Sequence, residues 1–149
     1  MNVLERALDR LVLGEQPPED LPAIATEASV AGIDSPSLTE LAGTSPSDYQ
    51  DARDLFLRAA EELGIAMPTA QDARWRMVRA VALDMVNGRL TPLEASRRIW
   101  WEGWEELGRP DELSPFVALA TGWEEDLSGR DLCEREMLDA ARRLLAESA

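Results

Sequence analysis

The 149-residue chain contains no histidine and no lysine, and it has a single cysteine, Cys133. Without histidine, the sequence excludes Ser–His–Asp and Cys–His catalysis, most zinc and haem sites, and the Glu-x-x-His motif of di-iron helical bundles. One cysteine excludes an internal disulfide. Cys133 shares the apolar side of the last predicted helix, so we interpret it as a small packed side chain rather than a nucleophile.

Long hydrophobic runs are also missing, and none approaches the roughly 20 residues of a membrane span. The opening segment "MNVLERALDRLVLG" alternates charged and apolar residues, which is unlike the continuous apolar region of a signal peptide. The sequence therefore predicts a cytoplasmic protein with no membrane contact. Neither G-x-x-x-x-G-K-[ST] nor G-x-G-x-x-G occurs, so a conventional phosphate cradle is absent. The lysine-free composition is typical of a high-GC bacterial genome.

Acidic residues outnumber basic ones: the chain has 29 Asp and Glu and 15 Arg, which give a net charge of −14. Such a surface repels phosphate backbones and predicts no nucleic-acid partner. Arg74, Arg76 and Arg79 lie on one predicted helix but point in different directions, so they form no basic footprint. The negative field favours a basic protein partner and speeds the encounter with it. The alternative is that the charge only keeps the protein soluble.

Helix start and stop signals recur along the whole chain, and no segment shows the alternation of a strand. They predict a single all-α domain over residues 1–149, a bundle of about eight helices. The predicted starts are Asn2, Pro17, Ser35–Pro36, Ser45–Pro46, Thr69, Thr91–Pro92, Ser114–Pro115 and about Ser128. The predicted ends are Gly14, Gly32, Gly64, Gly88, Gly108 and Gly122.

Two short segments resemble one another, "SPSLTELAG" at 35–43 and "SPFVALATG" at 114–122. Each follows a long helix and a second helix, and each precedes a long final helix. This order predicts an internal repeat of a four-helix unit, 1–66 and 69–149, that closes into one pseudo-symmetric bundle. The alternative is a chance match, because Ser–Pro and Gly are common helix punctuation.

The segment "RRIWWEGWEELG" places three of the chain's five tryptophans within residues 100–104. On a helical wheel of about 100° per residue, Trp100 and Trp104 share one apolar arc with Gly103 between them. We expect both indoles to be core side chains. Gly103 is expected to let a neighbouring helix approach closely, at a cost of about 1 kcal/mol in helix propensity.

Trp101 points about 100° away from that arc, among Glu94, Arg97, Arg98 and Glu105. One interpretation is that its ring covers an arginine guanidinium of the same chain through a cation–π contact. The other is that it anchors an interface, because tryptophan is enriched at binding hot spots. We take these five residues as the predicted partner-binding site.

The sequence also predicts a second site, a pocket lined by Arg74, Trp75, Trp100 and Trp104. This is a pocket between the two halves, where helical bundles often bind small molecules or place an active site. Carboxylates are the other candidate chemistry, since paired acids can hold a cation or act as acid and base. Their positions on polar helix faces predict a solvated surface with no metal and no cofactor; they are Glu102, Glu105, Glu106, Glu124, Glu125 and Asp126.

These observations favour a non-enzymatic acidic helical module that binds a protein, such as an inhibitor, an immunity-type protein or a regulatory adaptor. The expected partner is a protein, in particular a basic one. A homodimer that covers Trp101 is an alternative, and a small-molecule-binding or enzymatic bundle is another.

Overall fold

The computed structural model describes residues 1–147, and it confirms the all-α fold: within this range there are eight α-helices and no strand. No helix in this range is long and apolar enough to span a bilayer. The helices are α1 (Val3–Val12), α2 (Leu21–Val30), α3 (Pro36–Ala42), α4 (Tyr49–Glu62), α5 (Ala70–Val86), α6 (Pro92–Arg98), α7 (Ser114–Glu125) and α8 (Arg130–Glu147). A π-helical segment, Ile99–Trp104, continues α6.

Tertiary contacts divide the chain into two compact units, an N-terminal unit (Met1–Ala73) and a C-terminal unit (Arg74–Ala149). The division falls inside α5, a few residues after the predicted boundary between the repeats. The single domain and the internal repeat both stay predictions.

Side-chain caps begin several helices where the sequence predicted them. Asn2 Oδ1 accepts a hydrogen bond from the Glu5 backbone N–H at 2.9 Å and starts α1. Ser35 Oγ accepts from the Leu38 backbone N–H at 3.1 Å and starts α3. These starts are confirmed because an N-cap depends only on residues within one turn.

The start of α4 differs from the prediction, which placed it near Ser45–Pro46. The backbone N–H of Asp48 bonds to the Ser45 carbonyl in a turn, and the helix begins only at Tyr49. Helical periodicity predicts that Tyr49 and Phe56 both pack inward from this helix. Phe56 is buried, but Tyr49 is exposed, so the prediction is wrong for Tyr49. Tyr49 lies one turn before Ala52, the first buried residue of α4, so the core ends before it.

Gly122 does not end α7, and that prediction is wrong. The helix continues to Glu125, and the Asp126 backbone N–H still bonds to the Gly122 carbonyl at 3.1 Å. Trp123 gives the reason, because it packs on the core of the C-terminal unit and holds the chain in helical conformation past the glycine.

Each unit has its own apolar core. In the N-terminal unit, each of the first four helices places a fully buried side chain in the core: Leu8, Leu21, Leu38 and Phe56. The core of the C-terminal unit contains Val78, Val81, Ala82, Met85, Ala95, Ile99, Leu113, Phe116, Ala120, Met137, Ala140, Ala141 and Leu144. Cys133 is half-buried against this second core, which agrees with its predicted packing role.

Candidate functional site

Ile99–Trp104, which we call the tryptophan segment, departs from the regular helix that the sequence predicted. Across Ile99–Trp104 the backbone is π-helical, and the Glu105 N–H bonds to the Trp100 carbonyl, five residues back, at 3.0 Å. A π turn holds more residues than an α turn, so consecutive side chains diverge by less than 100°. Such single π turns are rare and are frequent at functional sites.

Gly103 lets this segment lie close to α5, as expected. It is buried together with Ile99 on the inner side of the segment. A β-carbon at position 103 would lie 2.6 Å from Val78 Cγ2 and 3.4 Å from Leu113 Cδ1, so only glycine fits without movement.

Trp100 and Trp104 both contact the core of the C-terminal unit, which confirms that part of the prediction. Both are only half-buried, however, because Ile99 and Gly103 occupy the innermost positions. The guanidinium of Arg109 lies over the Trp104 ring, 5.0 Å from its centroid. Trp104 Nε1 is buried and has no hydrogen-bond partner among the described residues.

Trp101 points outward as predicted, with 60% of its surface exposed. Of the two interpretations, the contact with an arginine of the same chain is not found among the described residues. The ring stacks on Trp100, with centroids 5.1 Å apart and planes 19° from parallel. The π turn explains this, since it brings two consecutive indoles onto nearly the same side of the helix.

The charged residues predicted around Trp101 do not form one cluster. Glu94 accepts a hydrogen bond from the Thr91 N–H in the capping box that begins α6, and Arg97 reaches Glu124 of α7 at 2.7 Å. Arg98, the last residue of α6, pairs with Glu102 of the tryptophan segment at 3.1 Å. Glu102 was missed as a site residue, although its i,i+4 spacing from Arg98 signals the pair.

A second ion pair follows Trp101 along the chain. Glu105 pairs with Arg109 at 3.5 Å, and both side chains are exposed. The Arg98–Glu102 and Glu105–Arg109 pairs both remain largely in water, where such pairs contribute only about 0–1 kcal/mol. Breaking either ion pair should therefore cost little free energy.

Arginines also cover Trp75 and Trp123, which was not predicted from the sequence. Arg79 lies over Trp75 at 5.9 Å, and the i,i+4 spacing of this pair was a usable signal. Arg130 lies over Trp123 at 3.7 Å, and its Nε donates to the Trp123 carbonyl at 3.0 Å.

The residues of the predicted pocket lie in the C-terminal unit. Trp75, Trp100 and Trp104 contact the same core, and Arg74 is half-buried. None of the four lines either of two open grooves beside α8, which have volumes of about 340 and 800 Å³. The pocket between the halves stays a prediction.

Three of the candidate acids, Glu102, Glu105 and Glu124, pair with arginines at the surface. Asp126 accepts hydrogen bonds from the backbone N–H and Oγ of Ser128, at 3.0 and 2.7 Å, and these bonds lower the pKa of its carboxyl. Among residues 1–147, no group of three or more acids and cysteines is arranged to hold a metal ion.

Comparison with protein-family models, with curated proteins and with solved structures finds no match to this chain. Function is therefore inferred from its own residues. The side chain that stands out is Trp101, a large apolar ring in water on a well-packed helical segment.

Proposed function

We propose that this chain is a non-enzymatic, acidic helical module that binds a protein partner through Trp101. The observation that carries the proposal is the 60% exposure of this ring, whereas the other four tryptophans are half-buried against the core of their unit. Inhibitors, immunity-type proteins and regulatory adaptors are the classes that fit such a module.

The surroundings of Trp101 suit an interface anchor. Tryptophan is enriched among the few residues that dominate binding energy, because one ring buries a large area. The stack on Trp100 holds this ring, and Ile99 and Gly103 fix the segment beneath it. A side chain that is already ordered loses little conformational entropy on binding, so more of the contact energy appears as affinity.

The net charge of −14 indicates the chemistry of the partner. A field of this sign attracts a basic protein surface and raises the rate of encounter. Since exposed charges are screened over about 8–10 Å at physiological salt, binding should weaken as ionic strength rises. The exposed pairs Arg98–Glu102 and Glu105–Arg109 can exchange partners at the rim of such an interface.

The experiment is affinity capture at low salt, with the full chain immobilised, from an extract of the cells that encode it. Wild type is compared with Trp101→Ala and with Leu132→Ala, which truncates another exposed apolar residue of the same unit. The proposal expects a partner that wild type and Leu132→Ala retain, that Trp101→Ala loses, and that salt elutes. Equal capture by all three variants, or no capture by wild type, contradicts it.

Self-association is the competing explanation for an exposed Trp101. Sedimentation of wild type and Trp101→Ala separates the two cases. A wild-type monomer supports a site for a different protein, whereas a dimer that Trp101→Ala dissociates shows that the ring covers its own copy and overturns the proposal.

A further inference from the structure

Indole rings in the C-terminal unit are repeatedly covered by guanidinium groups. Arg79 lies over Trp75, Arg109 over Trp104, and Arg130 over Trp123, at centroid distances of 5.9, 5.0 and 3.7 Å. Each of these tryptophans also contacts the apolar core. Three of the five tryptophans thus combine contact with the apolar core and an arginine over the ring, whereas Trp100 contacts the core and stacks on Trp101 instead.

Trp101 has only half of this arrangement. Trp100 provides the packed side, with the two rings 5.1 Å apart and close to parallel. No arginine among residues 1–147 lies over the Trp101 ring in the way that one lies over Trp75, Trp104 and Trp123. A ring stacked on one face and 60% exposed presents its other face to solvent.

That open face is suited to a guanidinium. The π face of an indole carries partial negative charge, and tryptophan is the strongest of the aromatic rings in cation–π contacts. Arginine stacks on such faces better than lysine, because its group is planar and more weakly hydrated. The neighbouring carboxylates add to this preference: Arg98 reaches Glu102, and Arg109 reaches Glu105, each through a single oxygen, Oε2.

We propose that an arginine side chain of the protein partner stacks on the open face of Trp101, opposite Trp100, with its charge facing Glu102 and Glu105. This inference rests on the proposed function and adds the chemistry of the contacting residue. It also gives a role to the acidic charge, which brings an arginine-bearing surface to the ring.

The test uses the isotopically labelled full chain and three short peptides that alternate glycine with arginine, with lysine or with uncharged citrulline. Indole N–H signals report each of the five tryptophans, and the Trp101→Phe variant assigns the signal of residue 101. The arginine peptide should shift the Trp101 signal most. Its Kd should rise about fivefold in Trp101→Leu, which removes the π face but keeps an apolar side chain and the net charge.

The peptides separate ring recognition from general charge attraction. The lysine peptide should bind more weakly than the arginine peptide, and citrulline should abolish the Trp101 shift. If Trp101→Leu binds the arginine peptide as tightly as wild type, or if the lysine peptide binds as tightly, the inference is wrong.

Different binding results would contradict the arginine contact and the proposed function. A purified partner that binds Trp101→Leu normally but not Trp101→Ala would show apolar docking, which keeps the proposed function and removes the arginine. A partner retained by Trp101→Ala would instead overturn the proposed function itself.

Discussion

Val78 Cγ2 occupies the space beside Gly103, at 2.6 Å from where a β-carbon of residue 103 would lie. Val78 and Gly103 are both completely or nearly buried, so α5 and the tryptophan segment are in direct contact here. This contact supports the segment from which Trp101 projects, and it can be tested by substitution.

Gly103→Ala should destabilise the C-terminal unit by about 1–3 kcal/mol, because overpacking against the stiff, β-branched Val78 outweighs the gain in helix propensity. Urea unfolding followed by tryptophan fluorescence measures it, since all five tryptophans lie in this unit. Gly122→Ala is the matched control. Its β-carbon would meet only Cys133 Sγ at 3.7 Å, so this variant should be stabilised by up to about 1 kcal/mol. Equal effects at the two glycines would contradict the close contact.

Two buried serines should respond in opposite ways to alanine. Ser96 is fully buried in α6, and its Oγ has no hydrogen-bond partner among the described residues. Ser96→Ala removes this unsatisfied hydroxyl, so stability should stay the same or rise by about 1 kcal/mol. Ser37 Oγ instead donates to Glu62 at 2.6 Å, and Ser37→Ala should destabilise the N-terminal unit. Circular dichroism in urea follows both variants, and a loss in Ser96→Ala would show that its hydroxyl is bonded.

Glu62 should make the N-terminal unit sensitive to acid. Hydrogen bonds from the Oγ and backbone N–H of Ser37 lower the pKa of its carboxyl below the ordinary value of 4.5. A carboxyl with a lowered folded-state pKa stabilises the fold above its unfolded pKa. This contribution is lost as pH falls from that ordinary value through the lowered one. In wild type, the urea concentration at the unfolding midpoint should therefore decrease as the pH is lowered below about 4.5.

Glu62→Gln should remove part of that pH dependence and lower stability at neutral pH. Glu61→Gln deletes the same charge one residue earlier, on an exposed side chain, and leaves the Ser37 contacts in place. Glu61→Gln should keep the wild-type dependence of stability on pH. Identical pH profiles for wild type and Glu62→Gln would contradict a stabilising role for this carboxylate.

Trp101 should be removable without unfolding the protein. Trp101→Ala loses the stack on Trp100, which is worth about 0.5–1.5 kcal/mol, but little buried area. Trp104→Ala removes a ring that contacts the core, and its cost should approach the roughly 3–5 kcal/mol of a buried aromatic. Urea unfolding of both variants compares the two values. A larger loss for Trp101→Ala would mean that its ring is structural.

The sequence was sufficient for features that depend on neighbouring residues. The caps at Asn2, Ser35 and Thr91 follow from side-chain oxygens that reach a backbone N–H three residues later. The all-α fold follows from repeating such signals, and the outward direction of Trp101 follows from its position beside an apolar arc. None of these needs knowledge of distant residues.

Features set by packing could not be predicted in the same way. The π turn shifts backbone hydrogen bonding by one residue in the segment where Gly103 contacts Val78. As a result Trp101 stacks on Trp100, a contact that neither interpretation of the sequence included. Gly122 carries the local signal of a helix end, but the burial of Trp123 keeps the helix intact. In both places a tertiary contact overrides a local preference.

The most direct test of the proposed function is the Kd of the purified partner for wild type and for Trp101→Ala, measured by calorimetry at low and at physiological salt. A hot-spot tryptophan contributes at least about 2 kcal/mol, so the variant should bind about thirtyfold more weakly. Wild-type affinity should also fall with salt. Equal dissociation constants for the two proteins would contradict the claim that this chain binds its partner through Trp101.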